Sequence, residues 1–207
     1  RRSMIGACTL AKRMTAPHVI LIGAGGHAAA IVEAVEQIGG KIELIVDPKP
    51  VNWLEAPRCE SIGGVKPQQG TVALGIGGAA TDALEHRLGL LIEMLELGFS
   101  ADPVIHPDAV VSRSANIGPG VTVLAGAVVQ PHTVLERGVL VNTGAIVEHH
   151  STVEEGAHVA PGAIVLGSCR IGRCAMIGAG SAVLQGHSVP EKFTVRAVSL
   201  YPNDADA

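Results

Sequence analysis

The densest group of side chains that could perform acid–base chemistry is the run Glu148-His149-His150. It interrupts a stretch of the chain that is rich in Val, Gly, Ala and Thr. His158 follows eight residues later, and His132 lies eighteen residues before His150. A neutral imidazole can take a proton from an attacking amine or hydroxyl, which typically contributes about 10²–10⁴-fold to a rate. We therefore predict that His149 is a general base, with Glu148 and His150 beside it in the catalytic group.

Two other interpretations compete for the histidines of this region. A single histidine on a protein surface usually has no chemical role, and this interpretation is the simpler one for His106, His132 and His187. A catalytic metal site needs about three converging protein ligands. The predicted stack of His132 on His150 supplies only two, so we predict no metal site.

These residues lie within a repeat that would position them. An aliphatic β-former occurs at every sixth residue without interruption, at Ile105, Val111, Ile117, Val123, Val129, Leu135, Val141, Val147, Val153, Val159, Val165, Ile171, Ile177, Val183 and Val189. Four residues after each of these positions comes a second, mostly small residue, with Gly recurring beside it. A fixed period of six with a turn residue in each unit is typical of a hexapeptide β-helix. Three hexads close a coil of eighteen residues, and about five coils stack roughly 4.8 Å apart.

The residues before the repeat predict a small parallel α/β unit in the order strand–helix–strand–strand–helix. The predicted strands are 18–22, 42–46 and 71–76, and the predicted helices are 28–38 and 82–97. Thr81 is a candidate N-cap of the second helix, and Gly98 is its C-terminal stop. The predicted fold is thus an α/β half-Rossmann domain followed by an all-β left-handed parallel β-helix of about five coils.

Four segments follow from these patterns. We predict a flexible leader over 1–16, a small α/β domain over 17–103, a β-helix over 104–191 and a C-terminal tail over 192–207. The leader carries four basic residues and no acidic one, and it lacks the long apolar centre of a signal peptide.

The turn after the first strand could hold phosphate. Gly23, Gly25 and Ala28 fit the pattern G-x-G-x-x-A between a strand and a helix, and Asp47 ends the next strand. Backbone N–H groups and a helix N-terminus favour anions there. The pattern also suits a dinucleotide-dependent oxidoreductase, or a turn needed only for packing. About eighty residues supply only half of the sheet that a dinucleotide spans, so a mononucleotide or nucleotide-sugar fits better.

The composition limits the classes of binding partner and indicates the cellular compartment of the protein. A net charge of −4 over 207 residues argues against the broad basic surface that nucleic acids require. The four cysteines show no metal-site or disulfide spacing, which predicts reduced thiols in a cytoplasmic protein. The sequence has no run of about eighteen apolar residues, so we predict no membrane span.

The order of motifs resembles the sialic acid O-acetyltransferase family, which includes bacterial nucleotide-amino-sugar N-acetyltransferases of the bacillosamine and perosamine types. The resemblance runs from about His18 to Glu191. It depends on GAGGH, Asp47, GIGG, Ile105-His106-Pro107, VNTGAIVEHH and HVAPGA, followed by hexads to VPE.

The resemblance implies a role for each matching residue. His149 matches the base that deprotonates the sugar amine or hydroxyl as it attacks the acetyl thioester. His158 matches a histidine at the acetyl-CoA end, and Gly167 matches a glycine whose N–H faces the thioester carbonyl. The implied phosphate-binding residues are Gly25, Gly26 and His27, and the implied nucleoside pocket contains Asp47, Lys49 and Gly77. Family members are homotrimers with acetyl-CoA between neighbouring β-helices.

The sequence departs from the family pattern in two places. The family usually has an acidic residue straight after the catalytic histidine, where this chain has His150. Glu148, Glu154, a neighbouring chain or His150 itself are the candidates to orient His149. The family tail usually resembles Ala-Gly-Val-Pro-Ala, whereas this chain has 196–202 as RAVSLYP.

We therefore predict an acetyl-CoA-dependent N-acetyltransferase that acts by direct transfer on the amine of a nucleotide-linked amino-deoxysugar. The alternatives are a sialic acid O-acetyltransferase, a catalytically weakened nucleotide-sugar-binding scaffold, and an oxidoreductase suggested only by the Gly-rich turn.

Overall fold

A computed structural model describes residues 17–202 of the chain, which form an α/β unit followed by a β-solenoid. The predicted leader over 1–16 lies outside the described residues, as do residues 203–207 of the predicted tail.

The α/β unit has the predicted elements in their predicted order, one further short strand among them, and a parallel sheet. Its elements are β1 (His18–Ile22), α1 (Gly26–Gln37), β2 (Lys41–Val46), β3 (Arg58–Cys59), β4 (Thr71–Leu74) and α2 (Thr81–Glu96), with a 3₁₀ turn at Pro67–Gln69. The strands pair in the order β3-β2-β1-β4, and every pair is parallel. The short strand β3 lies in a segment that the sequence indicated as loop, because two residues are too few to show a period.

The helix ends differ slightly from those predicted. Helix α1 begins at Gly26, with Gly25 as its N-cap, two residues before the predicted start. Helix α2 has Ala80 rather than Thr81 as its N-cap, and no side chain caps it. Gly98 follows the helix at φ +87°, a conformation that glycine adopts without strain. Neither of these two helices, within residues 17–202, combines the length and the apolar character needed to span a bilayer.

The solenoid consists of two-residue strands in three parallel sheets. In chain order the strands are β5 (Val104–Ile105), β6 (Val110–Val111), β7 (Asn116–Ile117), β8 (Thr122–Val123), β9 (Val128–Val129), β10 (Val134–Leu135), β11 (Leu140–Val141), β12 (Ile146–Val147), β13 (Thr152–Val153), β14 (His158–Val159), β15 (Ile164–Val165), β16 (Arg170–Ile171), β17 (Met176–Ile177), β18 (Ala182–Val183), β19 (Ser188–Val189), β20 (Thr194–Val195) and β21 (Leu200–Tyr201). Each strand pairs with the strand eighteen residues later, which confirms the predicted parallel β-helix.

The predicted sixth residues form the core of this solenoid. Each is the second residue of its strand, and Val141, Val159 and Ile177 stack in one column with no exposed surface. The small residues of the second set, such as Ala145 and Ala163, are equally buried. The period continues past Val189 through β20 and β21, so the described part of segment 192–207 adds two strands to the solenoid.

Several corners of the coils require a left-handed backbone. Glycine occupies many of them, and six corners carry other residues at φ between 52° and 62°: His132, His150, Ser168, Cys174, Lys192 and Val198. An L-residue in this conformation costs about 1–2 kcal/mol relative to the right-handed one. These corners therefore store conformational strain.

The three faces of the prism differ in what lies outside the core. The sheet containing β11 is covered by the α/β unit, so that Thr122 and Leu140 are buried although they point outwards. The sheet from β7 to β19 presents mainly polar residues, including Asn116, Thr152 and Arg170. The third sheet presents only aliphatic residues, namely Val110, Val128, Ile146, Ile164, Ala182 and Leu200, which together we call the apolar face. Its ends are well exposed, since Val110 is 63% and Leu200 is 56% accessible.

The described cysteines, Cys59, Cys169 and Cys174, are free thiols. Burial raises the pKa of both the Cys169 and the Cys174 thiol, so both are protonated at neutral pH and poorly reactive. Cys8 lies outside the described residues.

Candidate active site

His149 lies at the corner that follows strand β12, and His150 occupies the left-handed position of that corner. The Nδ1 atoms of His149 and His150 lie 3.1 Å apart. The two rings meet edge to face, with centroids 5.2 Å apart. Since one of the two Nδ1 atoms must donate and the other accept, this contact leaves Nε2 of His149 free to exchange a proton.

The His149 ring covers Gly167, which occupies the same position one coil later. A Cβ atom built at Gly167 would lie 2.7 Å from Cε1 and 3.0 Å from Nε2 of His149, so a larger residue cannot fit without displacing the ring. The hydrogen bonds found within residues 17–202 include none donated by the Gly167 N–H. A free backbone donor therefore lies beside the imidazole that could accept a proton.

The carboxylates proposed to orient His149 have other partners. Glu148 Oε2 lies 3.4 Å from the backbone N–H of His149, not at its ring. Glu154 forms an ion pair with Arg170 and accepts the N–H of Arg173. Within residues 17–202, the ring of His149 therefore has His150 as its side-chain hydrogen-bond partner.

The histidines His132, His106 and His187 of the solenoid differ in their surroundings. His132 stacks on His150 with ring centroids 5.0 Å apart, as the eighteen-residue spacing predicted. The expectation of a surface location was wrong for His106, which is 4% exposed and accepts the Asp108 N–H through Nδ1. His187 is exposed, and its ring contacts the backbone oxygens of residues 184 and 185. In the described part of the chain, His, Cys, Asp and Glu form no group of three or more that could hold a metal ion.

His158 is buried between the solenoid and the α/β unit rather than open to a groove. It is 5% exposed, its Nδ1 lies 2.8 Å from the oxygen of Gly78, and its Nε2 lies 3.0 Å from Nδ2 of Asn142. Burial, with a smaller contribution from the charge of Arg87, lowers the pKa of His158 to about 4. The ring is thus neutral at neutral pH, with its proton on Nδ1.

His27 and Arg87 lie near His158. Burial, with smaller contributions from Arg87 and His158, lowers the pKa of His27 to about 4. Arg87 has no exposed surface, and burial lowers its pKa to about 10. Nε2 of His27 and Nη2 of Arg87 are buried and have no hydrogen-bond partner within residues 17–202. Of these two atoms, Nε2 of His27 belongs to a residue that lines the cavity at the Gly-rich turn, so it could pair with a polar group bound there.

The Gly-rich turn opens into a cavity of about 590 Å³. Gly25, Gly26 and His27 line it at the start of α1, and Gly77 lines it after β4. No side chain caps α1, and its first turn contains no acidic residue, so the helix N-terminus is open to an anion. The opposite walls are formed by Glu60, Ser61, Ile62, His86, Leu90, Glu93 and Met94.

Asp47 and Lys49 line the same cavity. Both carboxylate oxygens of Asp47 accept backbone N–H groups at 2.8 Å, one from Ala24 and one from Lys49. Asp47 therefore holds the Gly-rich turn in shape, while the Lys49 ammonium is exposed at the cavity.

The predicted site residues thus lie in three places: Glu148, His149, His150 and Gly167 at one corner of the solenoid, the six substrate residues around the cavity, and His158 in the contact between the solenoid and the α/β unit. Sequence reasoning missed Arg87 and Asn142. The sequence does contain an indication for Arg87. It occupies a core position of α2 beside Leu84, Leu88 and Leu91, where a charged residue is rare.

No protein-family model and no curated protein sequence matches the chain, but solved structures do. The acetyltransferase domain of PglB from Neisseria gonorrhoeae is 32% identical with a TM-score of 0.84, over 91% of this chain and 92% of that one. The same domain in complex with acetyl coenzyme A is 33% identical with a TM-score of 0.81, over 88% and 89% of the two chains.

A second similar protein is PerB from Caulobacter crescentus, solved in complex with CoA and GDP-perosamine. It is 28% identical with a TM-score of 0.82, over 90% of this chain and 89% of that one. Both likenesses include the α/β unit as well as the solenoid, because each covers about nine tenths of the chain.

Proposed function

This chain belongs to the hexapeptide acyltransferase family of the PglB acetyltransferase domain and perosamine N-acetyltransferase, and from this premise we propose that it acetylates the amine of a nucleotide-linked amino-deoxysugar. The acetyl donor in this proposal is acetyl-CoA, which the PglB domain binds. The observation that carries the proposal is the free Nε2 of His149 beside the unpaired Gly167 N–H.

The proposed reaction is direct transfer. The sugar nitrogen attacks the carbonyl carbon of the thioester while His149 Nε2 takes a proton from that nitrogen. The carbon–sulfur bond then breaks, and the proton passes to the departing CoA thiolate. The Gly167 N–H would stabilise the negative charge on the carbonyl oxygen, and a donor of this type contributes about 10²–10³-fold in other enzymes.

The cavity of the α/β unit suits the nucleotide. The open N-terminus of α1, with Gly25 and Gly26, is placed to receive a diphosphate, and Lys49 adds a positive charge. Buried apolar side chains such as Ile22 and Met94 provide a surface against which a base could pack. Asp47 supports the turn through its two backbone contacts.

The apolar face supports assembly with further copies of the chain. A contiguous aliphatic face on a folded chain favours association with another surface, because its burial is worth about 25 cal/mol per Å². His149 follows Ile146 and Val147 of β12, so the catalytic corner lies at the edge of this face. We infer a homotrimer in which acetyl-CoA lies between neighbouring solenoids, beside His149.

The test is release of free CoA from acetyl-CoA across a panel of UDP-, GDP- and CMP-linked amino sugars. We expect one of these sugars to drive turnover, and His149→Ala to lose at least about 10²-fold in kcat. His187→Ala is the matched control, since His187 is another exposed histidine at a solenoid corner. It should retain wild-type turnover.

Each of the other outcomes would contradict a different part of the proposed function. Equal turnover by His149→Ala and wild type would place the base elsewhere, with His150 the next to test. Turnover with sialic acid alone would make the enzyme an O-acetyltransferase. Binding of acetyl-CoA without turnover on any acceptor would leave the scaffold interpretation.

A further inference from the structure

A second, smaller cavity adjoins the nucleotide cavity at the Gly-rich turn. Its volume is about 290 Å³, and Ala24, Gly25, Asp47 and Lys49 line both cavities, whereas Trp53 lines only the smaller one. Small-molecule sites usually have volumes of about 300–1,000 Å³. The smaller cavity, which we call the Trp53 pocket, therefore suits one part of a ligand that continues into the larger cavity.

The indole of Trp53 is attached to the Gly-rich turn by one edge. Its Nε1–H donates to the oxygen of Ala24 at 3.1 Å, and the N–H of Ala24 donates to Asp47 at 2.8 Å. Trp53 follows Asp47 by six residues, so one short segment after β2 supplies side-chain partners for both backbone polar groups of Ala24. The hydrogen bond of the indole uses only the N–H at the ring edge, so it does not occupy the π-face.

Trp53 is about half exposed, in a chain that has few aromatic side chains. The sequence contains one Trp, one Tyr and two Phe. Phe99 is buried in the α/β unit, and Phe193 and Tyr201 pack on each other with ring centroids 5.5 Å apart. Trp53 differs from these three, since 47% of its surface is accessible. A rigid aromatic face held open at a cavity is typical of a ligand site, because little conformational freedom is lost when a ligand packs on it.

The larger cavity does not offer a surface of this kind. The described residues that line it include no Phe, Tyr or Trp, and its apolar contacts, such as Ile22 and Met94, are aliphatic. Every nucleobase has a π-face that stacks on an aromatic ring. Among the apolar side chains of the two cavities, Trp53 is therefore the one suited to stacking.

The order of the strands indicates which part of a nucleotide-linked sugar would reach Trp53. The order is β3-β2-β1-β4, so β1 separates β2 from β4. The segment after β4 contacts the solenoid, where the Gly78 oxygen accepts from His158, whereas β2 ends directly before Asp47. In the proposed function acetyl-CoA lies along the solenoid, so the sugar lies towards β4 and the diphosphate at the turn after β1. The nucleoside then lies over the end of β2, beside Trp53.

We propose that the Trp53 pocket is the nucleobase subsite and that Trp53 stacks on the base of the substrate. The proposal rests on the proposed function, which supplies a nucleotide-linked sugar as the ligand. The diphosphate crosses the Gly-rich turn that both cavities share. Because stacking tolerates any base, Trp53 contributes affinity for the nucleotide rather than selection of one base.

The fluorescence of the wild-type protein tests the proposal, because Trp53 is the only tryptophan of the chain. Titration with UDP, GDP and CMP should quench the emission in a saturable way for at least one of these nucleotides. Pyrophosphate is the control, since it can occupy a phosphate site but has no base, and it should change the emission far less. Equal changes with pyrophosphate and with the nucleotide would contradict stacking, and so would calorimetric binding of a nucleotide without a change in emission.

Two substitutions separate the ring face from its hydrogen bond. Trp53→Phe keeps an aromatic face but removes the N–H that Ala24 accepts, and Trp53→Leu removes both. In calorimetric titration with the nucleotide that quenches the wild type, Trp53→Leu should bind about tenfold more weakly and Trp53→Phe should stay within about threefold of wild type. Equal losses in the two variants would assign Trp53 to support of the turn alone and would overturn the proposal. Loss of acetyl-CoA affinity with unchanged nucleotide affinity would overturn it as well.

These titrations use free nucleotides, so they do not depend on catalysis. Quenching by a nucleotide without CoA release from any amino sugar would refute the proposed function and leave the nucleobase subsite standing. CoA release with an unchanged KM for the nucleotide-sugar in Trp53→Leu would refute the subsite alone. Absence of binding by all three nucleotides would also refute the subsite.

Discussion

At the residue scale, the notable feature is that the partner of the proposed base is a second imidazole. Nδ1 of His149 meets Nδ1 of His150 at 3.1 Å. For Nε2 to act as the base, Nδ1 of His149 must keep its proton and donate it to a neutral His150. A neutral acceptor fixes the tautomer, but it stabilises the imidazolium formed during the reaction less than a carboxylate would.

We expect His150→Glu to move the acidic limb of the pH profile of kcat/KM to higher pH by about one unit. A carboxylate beside His149 favours the charged imidazolium, so the base becomes protonated at a higher pH. The measurement is CoA release between pH 5 and pH 9. His132→Glu is the control, because His132 stacks on His150 without bonding to His149; an equal shift in both variants would rule out a direct effect of residue 150.

At the scale of elements, helix α2 joins the two parts of the molecule. Its buried side chains include Leu84 and Leu88, which pack with Cys174 of the solenoid. Arg87 lies in the same stripe and donates to one carbonyl of the α/β unit and one of the solenoid. Helix α2 therefore provides both apolar contacts and hydrogen bonds between the α/β unit and the solenoid.

Arg87→Met should lower the free energy of unfolding by about 2–4 kcal/mol, because it leaves the partly buried Ile76 oxygen and the buried Gly138 oxygen without their donor. Urea denaturation measures this change. Arg170→Met is the matched control: Arg170 is exposed and its ion pair with Glu154 is worth about 0–1 kcal/mol. Similar losses in the two variants would show that burial does not increase the contribution of Arg87 to the free energy of unfolding.

At the scale of the whole molecule, one face of the solenoid is covered by the α/β unit and another is polar. The residues of the apolar face range from partly buried in its middle to exposed at its ends. Its six aliphatic residues lie one above another at the strand spacing, so they form a continuous strip rather than scattered exposed side chains. A symmetric assembly would cover three such strips at once.

Ile164→Lys, in the middle of the apolar face, should dissociate the proposed trimer into monomers, because association would bury an unpaired charge. Light scattering coupled to size exclusion gives the mass. Thr152→Lys places the same charge on the polar face and should leave the mass unchanged. A wild-type mass equal to that of one chain would contradict the trimer directly.

The free energy of unfolding should depend on pH, because the molecule contains buried histidines. His158 has its pKa lowered to about 4 by burial and by Arg87 on α2, with His27 of α1 in a similar state nearby. The unfolded chain therefore binds more protons than the folded chain between about pH 6.5 and pH 4, so stability falls as the pH falls through this window. His158 alone should contribute about 3 kcal/mol to the loss.

Urea midpoints at pH 7 and pH 4.5 measure this loss, with His158→Asn as the comparison. The variant cannot be protonated at this position, so the difference between its two midpoints should be smaller than that of wild type. Equal differences would show that the buried ring is not the origin of the acid effect.

The contacts that recur at the eighteen-residue period of the coil could be predicted from the sequence. The contacts between the α/β unit and the solenoid could not. The stack of His132 on His150 follows from their spacing, and the same spacing relates His149 to Gly167. The contact of His158 with Gly78 joins residues eighty positions apart, and no period connects them. The docking of α2 on the solenoid depends on side-chain packing, which a hydrophobic pattern does not specify.

The left-handed corners have a consequence for the evolution of this enzyme. At Val198, which is 85% exposed, glycine would relieve strain of about 1 kcal/mol without touching the catalytic corner. At His150 glycine would relieve a similar strain but remove the imidazole that meets His149. Selection for heat tolerance would therefore favour glycine at both corners, whereas selection for turnover would oppose it at residue 150 alone.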